Sequence, residues 1–226
     1  MTKKNLKIKC YICGKGGADS KDHIPPKGIF PKDIRGKLRR NLITVPAHSE
    51  CNNSFKRDDV NFRNFIITEG MRTPIGKHAW KKVVVNSFRK SPGDRKYLLK
   101  RLDKKFMKDK PTNSYIFQDV LSVDVELMRR EINRINKGLF YHKFKKPLPE
   151  NIPIRIIDQS PLEDSLPNFN KFFIEKEIYP NWVHVFPGIF SYFYVNADED
   201  NTKAMTILVF YDTGVWLSII GNFEDL

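Results

Sequence analysis

Cysteine is scarce in this chain, with three residues among 226, at positions 10, 13 and 51. An odd number crowded into the first quarter does not make a disulfide framework, and a chain of this length buries enough surface to fold without one. Acidic residues are also in deficit, at 26 Asp and Glu against 40 Lys and Arg, for a formal charge of +14. The sequence pI is near 9.6, a balance suited to polyanionic partners such as DNA or RNA. No uninterrupted apolar run approaches the roughly 18 residues of a membrane span. The basic start, MTKKNLKIKC, has no apolar stretch behind it of the kind a secretory signal needs. Internal repeats and low-complexity tracts are lacking too. The expectation is a cytoplasmic protein that is neither secreted nor membrane-bound.

What is present divides into three stretches. In the first, residues 1–72, a Lys- and Gly-rich knuckle around CYIC precedes DHIPPKGIFP and DIRGKLRR, whose prolines and glycines forbid continuous helix. Asp22 and His23 are therefore expected on a loop. NLITVPAHSECNN predicts a short strand from Leu42 to Val45, a turn at Pro46, and a helix beginning at the Asn pair and running through SFKRDDVNFRNFIITEGM. The second stretch, 73–147, reads as helical. RKYLLKRLDKKFMKD places Leu98, Leu99, Leu102 and Phe106 on one side, and DVLSVDVELMRREINRINKGLF carries a stripe of Val125, Met128, Ile132, Ile135 and Leu139. Asp119 suits the first turn of that helix and Gly138 its C-cap. In the third stretch, 148–226, the segments IRIID, WVHVF, GIFSYFYVNA, AMTILVFYD and VWLSII read as antiparallel strands, with DEDNT and DTG as hairpin connections. The fold class expected is α+β.

Cys10-Tyr-Ile-Cys13 and His48-Ser-Glu-Cys51 are two ligand pairs, each with two residues between its members and 34 residues separating the pairs. Three thiolates and an imidazole make a closed tetrahedral zinc site, and two-residue gaps let a tight turn aim both side chains at one ion. A redox CxxC would need a thioredoxin-like βαβ context, which this chain lacks. With all four ligands bound, the zinc is structural and holds together a segment too poor in apolar residues to pack alone. His48 is the weakest member, since a lone histidine is more often a surface or core residue.

Between the pairs stands Asp22-His23, and Asn52 follows the last cysteine. Phosphodiester hydrolysis needs a base for water and a cation to neutralise the scissile phosphate. His23, titrating near neutral pH, suits the base, and the hard oxygens of Asp22 and Asn52 suit Mg2+ or Mn2+. Each residue also has a plain structural reading: Asp22 and His23 as a loop pair holding backbone amides, Asn52 as a helix N-cap.

The run CYIC, DHIPP, NLITVP and HSECNN, in that order over residues 10 to about 60, resembles the zinc-ribbon form of the HNH endonucleases. The resemblance implies a ββα-metal module of two strands and a helix, with His23 activating water, Asp22 and Asn52 holding a catalytic Mg2+ or Mn2+, and Asn41 bracing the loop. The chain departs from the family pattern at His48, which replaces the third cysteine, and at Phe55, where a basic residue is usual; Lys56 follows, and Lys56 and Arg57 become the candidate phosphate contacts. The function expected is metal-dependent endonuclease activity, on DNA ahead of RNA, in a setting such as bacterial antiviral defence or a mobile element. The alternative is a non-catalytic zinc knuckle that binds nucleic acid. A protein partner or a second copy could dock on the C-terminal β region.

Overall fold

The computed structural model describes residues 8–36, 42–108, 113–161 and 181–222. Near the N-terminus, β1 (Ser20–Ile24) pairs antiparallel with β2 (Ile43–Ala47), Asp22 facing Val45 across the ladder. A single 3-10 turn (Lys27–Ile29) and α1 (Lys32–Arg35) occupy part of the connection. After β2 come α2 (Ser49–Ser54) and α3 (Lys56–Glu69). Asp22 and His23 thus lie on a strand, not on the expected loop. The prolines that excluded helix begin only after Ile24, leaving five residues free to extend and to alternate Asp22 and Ile24 inward with His23 half-buried on the other side. Pro46 likewise sits within β2 instead of turning the chain. Among the described residues β2 pairs with β1 alone, and an edge strand tolerates a residue without an N–H.

Helix α2 starts at Ser49, three residues before the Asn pair, so Asn52 is inside the helix and is not its N-cap. His48 occupies the cap position without a side-chain cap bond. Asp19 supplies that function from a distance in sequence, its carboxylate accepting the Ser49 N–H at 2.6 Å.

The middle stretch contains α4 (Pro74–Ala79), continued by a wider π turn at Trp80–Val84 into α5 (Val85–Lys90), then α6 (Pro92–Leu99). The next segment corrects the all-helical expectation. Leu102–Lys108 forms β3 and Tyr115–Leu121 forms β4, an antiparallel ribbon with Phe106 opposite Phe117. Spacing alone allowed Leu102 and Phe106 to share a helical face, but the aromatic partner lies on the other strand, where a reading of one segment cannot see it. Asp119 is consequently a strand residue opposite Lys104.

The long helix, α7, runs from Val125 to Phe144. Asp124 is its N-cap, accepting the Leu127 N–H at 3.2 Å, and Lys145 ends it in the left-handed region at φ 56°. The stripe Met128, Ile132, Ile135 and Leu139 is buried as expected, whereas Val125 is 60% exposed. Gly138 is not the C-cap. It lies a full turn inside the helix where α7 crosses β1, and a Cβ there would stand 2.4 Å from Ile24 Cγ1. Gly138→Ala is therefore expected to lower the unfolding free energy by about 1–3 kcal/mol through overpacking, despite the ~1 kcal/mol that alanine gains in helix propensity. A thermal melt with an unchanged or raised Tm would refute that close crossing.

The C-terminal stretch matches its expectation. β5 (Ile154–Pro161), β6 (Val183–Phe186), β7 (Phe190–Asn196), β8 (Ala204–Phe210) and β9 (Gly214–Ile220) form one antiparallel sheet in the order β5-β9-β8-β7-β6. Helix α7 joins it to the N-terminal strands: Gly138 meets Ile24, while Asn136 Oδ1 accepts a hydrogen bond from Thr206 Oγ1 at 2.7 Å. Phe62 of α3 packs edge-on against Phe210, ring centroids 5.6 Å apart. Tyr211 donates to the Ile29 carbonyl at 2.5 Å. One apolar cluster extends from Cys10 and Tyr11 through Ile24, Phe62 and Ile132 to Phe210 and Trp216, so the core crosses positions 72 and 147 without a break.

Candidate metal centre and adjoining cleft

Cys10, Cys13, His48 and Cys51 converge, their candidate ligand atoms all within 4.8 Å of one another. Two local devices bring them together. A turn at Tyr11–Cys13 folds the first pair, with the Gly14 N–H on the Cys10 carbonyl at 2.9 Å. The start of α2 presents the second pair, and the Tyr11 N–H on the Pro46 carbonyl at 3.0 Å ties the two. His48 Nδ1 lies 3.4 Å from Cys13 Sγ and 3.8 Å from Cys51 Sγ, while Nε2 is 3.0 Å from the Gly16 carbonyl. Donation of Nε2–H to that carbonyl leaves the Nδ1 lone pair facing the sulfurs, the arrangement in which a histidine ligates. The His48 N–H also points at Cys10 Sγ, 3.4 Å away. Burial and the neighbouring Cys10 and Cys13 sulfurs push the Cys51 thiol up to about 12, a crowding of sulfur that a bound cation would relieve. The four residues can hold a metal ion such as zinc.

Beside this centre opens a cleft of about 1010 Å³. Asp22, His23 and Asn52 all line it, together with Lys21, Lys27, Arg35, Lys56, Arg63 and Lys82. The structure thus brings three of the candidate catalytic residues to one cavity. Asn41 lies outside the described residues. Lys56 is in the cleft wall; Arg57 is exposed and is not among the cleft residues.

His23 is half-buried, and its pKa is lowered by that burial and by the charge of Lys27 and Arg35, against an opposing pull from Asp22. A neutral imidazole near neutral pH follows. Asn52 reaches back toward β1, its Nδ2 3.5 Å from the Lys21 carbonyl. Asp22 is the most enclosed of the three, at 6% exposure. Tyr11 donates its hydroxyl to Asp22 Oδ2 at 2.5 Å, Arg134 Nη1 approaches the same oxygen at 3.5 Å, and the His23 N–H donates to Oδ1 at 2.7 Å. A carboxylate has about four acceptor sites, so Oδ1 retains one.

Behind Asp22 lies a buried ion cluster that sequence reading did not find. Arg134 of α7 is 2% exposed. Its guanidinium serves Asp22, Asp59 and, at 2.7 Å, Glu131 Oε2, and it stacks 4.6 Å from the Phe55 ring centroid. Asp58, next to Asp59, is held from outside by Arg130 at 2.7 Å. Asp58 and Asp59 are thus ion-paired across to α7. Burial raises Glu131 to about 8, against the opposing pull of Arg134, and burial likewise raises Asp59. The available signal was positional: Glu131 and Arg134, three residues apart, fall within the arc that buries Met128, Ile132 and Ile135, where a charged pair requires partners.

A second polar chain braces the far wall of the cleft. Arg63 donates to Asn64 Oδ1 at 2.9 Å and to Ser87 Oγ at 2.7 Å, and Ser87 donates to Asp94 at 2.7 Å. No protein-family model matches this chain, and neither do curated proteins or solved structures.

Proposed function

We propose that this protein is a metal-dependent endonuclease of the HNH kind, acting on DNA, with zinc held by Cys10, Cys13, His48 and Cys51 as its structural clamp. One observation carries the reading: His23, with its proton affinity lowered, shares a single basic cleft with Asp22 and Asn52 beside the Cys/His centre. The resemblance of CYIC, DHIPP and HSECNN to the HNH pattern supports it independently.

In this reading the lysines and arginines of the cleft seat the phosphate backbone. His23 removes the proton from the attacking water, for which its neutral form at physiological pH is the required one. Asp22 and Asn52 offer the hard oxygen donors that a Mg2+ or Mn2+ ion takes. Such an ion, when bound, neutralises charge developing on the scissile phosphate and the leaving oxygen. Tyr11 and Arg134 fix the Asp22 carboxylate so that its remaining lone pair faces the cleft without rotamer search.

His23→Ala is expected to abolish cleavage of supercoiled plasmid in Mg2+ or Mn2+, by at least about a hundredfold, with zinc content equal to that of the wild type. In the wild type, activity should fall on acidification with a midpoint below the ordinary histidine value of 6.5, because only the unprotonated ring accepts a proton. Equal cleavage by both proteins would sink the assignment.

One observation favours a second reading, a non-catalytic nucleic-acid-binding knuckle: Asp22 already engages Tyr11, Arg134 and its own neighbour's amide. That reading expects Asp22→Asn to weaken folding while leaving DNA retention intact, with no cleavage by any variant.

A further inference from the structure

Large apolar side chains that remain exposed are concentrated in one place. Among the described residues, six of the eleven, namely Leu102, Phe106, Met107, Tyr115, Ile116 and Phe117, belong to the β3–β4 ribbon. Phe106 and Phe117 face each other across the ladder and Lys108 faces Tyr115, so these residues and Lys104 share one face. The three rings touch: Phe106 stacks on Tyr115 at 5.2 Å between centroids with planes 11° apart, and lies 5.1 Å from Phe117. They are nonetheless 60–73% exposed. A ribbon that turns three aromatic rings to solvent is unusual for a free surface.

Charge decides what covers it. Within the ribbon Lys104, Lys105 and Lys108 stand against Asp103 and Asp119, of which Asp119 lies opposite Lys104, on a chain whose formal charge is +14. Two copies meeting through this face would oppose positive segments, whereas a polyanion would neutralise them. Rings flanked by lysines match a strand of nucleic acid whose bases are unpaired, because stacking needs a free π-face that a duplex keeps inside its own stack.

We propose that the β3–β4 ribbon is a binding site for single-stranded nucleic acid, with Phe106, Tyr115 and Phe117 stacking bases and Lys104 and Lys108 contacting phosphates. The inference deepens the nuclease reading and rests on it for the choice of polyanion. The site lies apart from the cleft, whose lining includes no residue of the ribbon.

The test is fluorescence anisotropy of a labelled oligothymidylate and of a duplex of equal length, titrated with full-length protein without added divalent cation. Phe106→Ala/Phe117→Ala should weaken single-strand binding at least about tenfold, the effect of losing one to two stacked bases, with duplex affinity nearly unchanged. Lys104→Gln/Lys108→Gln should reduce the slope of log K against log salt by about 1.4, for two phosphates on a single strand. Circular dichroism and zinc content establish that both variants are folded. Unchanged single-strand affinity in the aromatic variant overturns the proposal. So does a wild-type dimer that this variant converts to a monomer with oligonucleotide affinity intact, which would assign the face to a second copy. Ribbon-dependent binding without plasmid cleavage by the wild type would remove the nuclease reading and leave this site standing; cleavage with ribbon-independent binding would do the reverse.

Discussion

Replacing Cys10 with serine is expected to strip the protein of zinc and to lower its melting temperature by at least about 10 °C. Cys10 is fully buried and belongs to the main apolar cluster. The four ligand residues hold both ends of a segment with few regular elements of its own, since between Cys13 and His48 the described residues contribute only two five-residue strands and two very short helical turns. Structural zinc is worth about 10–16 kcal/mol in peptides whose folding it drives, as much as the entire stability of a typical domain. Even half of that, at roughly 2–4 °C per kcal/mol for a chain of this size, produces the stated drop. Elemental analysis should find one zinc per wild-type chain and none in the variant. A zinc-free Cys10→Ser protein melting at the wild-type temperature would show that the ligands cluster for another reason.

The second large effect is expected at Arg134. Changing it to methionine keeps an apolar side chain but removes the guanidinium that stacks on Phe55 and leaves Asp22, Asp59 and Glu131 without their shared cation. Breaking a buried ion cluster from one side costs about 3–5 kcal/mol, so Arg134→Met should lower stability by that amount in chemical denaturation while retaining zinc. The cluster also sets a pH dependence. Glu131 is raised to about 8 in the folded protein, so between its ordinary value of 4.5 and about 8 the native state holds a proton that the unfolded chain has released. Stability from this group is complete below the lower value and is lost as pH rises through the window, with a slope of at most about 1.4 kcal/mol per pH unit. Asp59, raised by burial, acts with the same sign. Glu131→Gln should flatten the decline between pH 5 and 8. A wild type whose stability rises across that interval would mean that Arg134 keeps Glu131 ionised.

Much of this was legible in the sequence, for identifiable reasons. The Cys/His cluster could be read because its spacing is a local property, and the C-terminal sheet because short β-branched segments separated by turn residues have few alternatives. The four-residue stripe of α7 repeats over several turns and survived as well. Errors arose where a distant partner decided the outcome. β3 carries a pattern compatible with a helix, and only Tyr115 and Phe117 make it a strand. Gly138 resembles a cap until Ile24 is placed against it. Asn52 resembles an N-cap until Asp19, 30 residues before Ser49, takes that role. Arg134 was invisible as a site residue because nothing near it in sequence announces Asp22, 112 positions away.

That long separation bears on how the N-terminal quarter can be handled. A short stretch that carries its own Cys/His cluster invites treatment as a cassette, yet in this chain the stretch ending at position 72 packs on groups that lie beyond it. Cut there, Asp22 and Asp59 lose the buried cation of Arg134, Ile24 loses the Gly138 crossing, and the Ile29 carbonyl loses Tyr211. Grafting or truncation at that boundary would transfer the ligands and the histidine but leave behind the groups that orient them. A ribosome likewise delivers β1 long before it delivers Arg134, so during synthesis the Asp22 carboxylate gains its buried cation only after α7 has emerged.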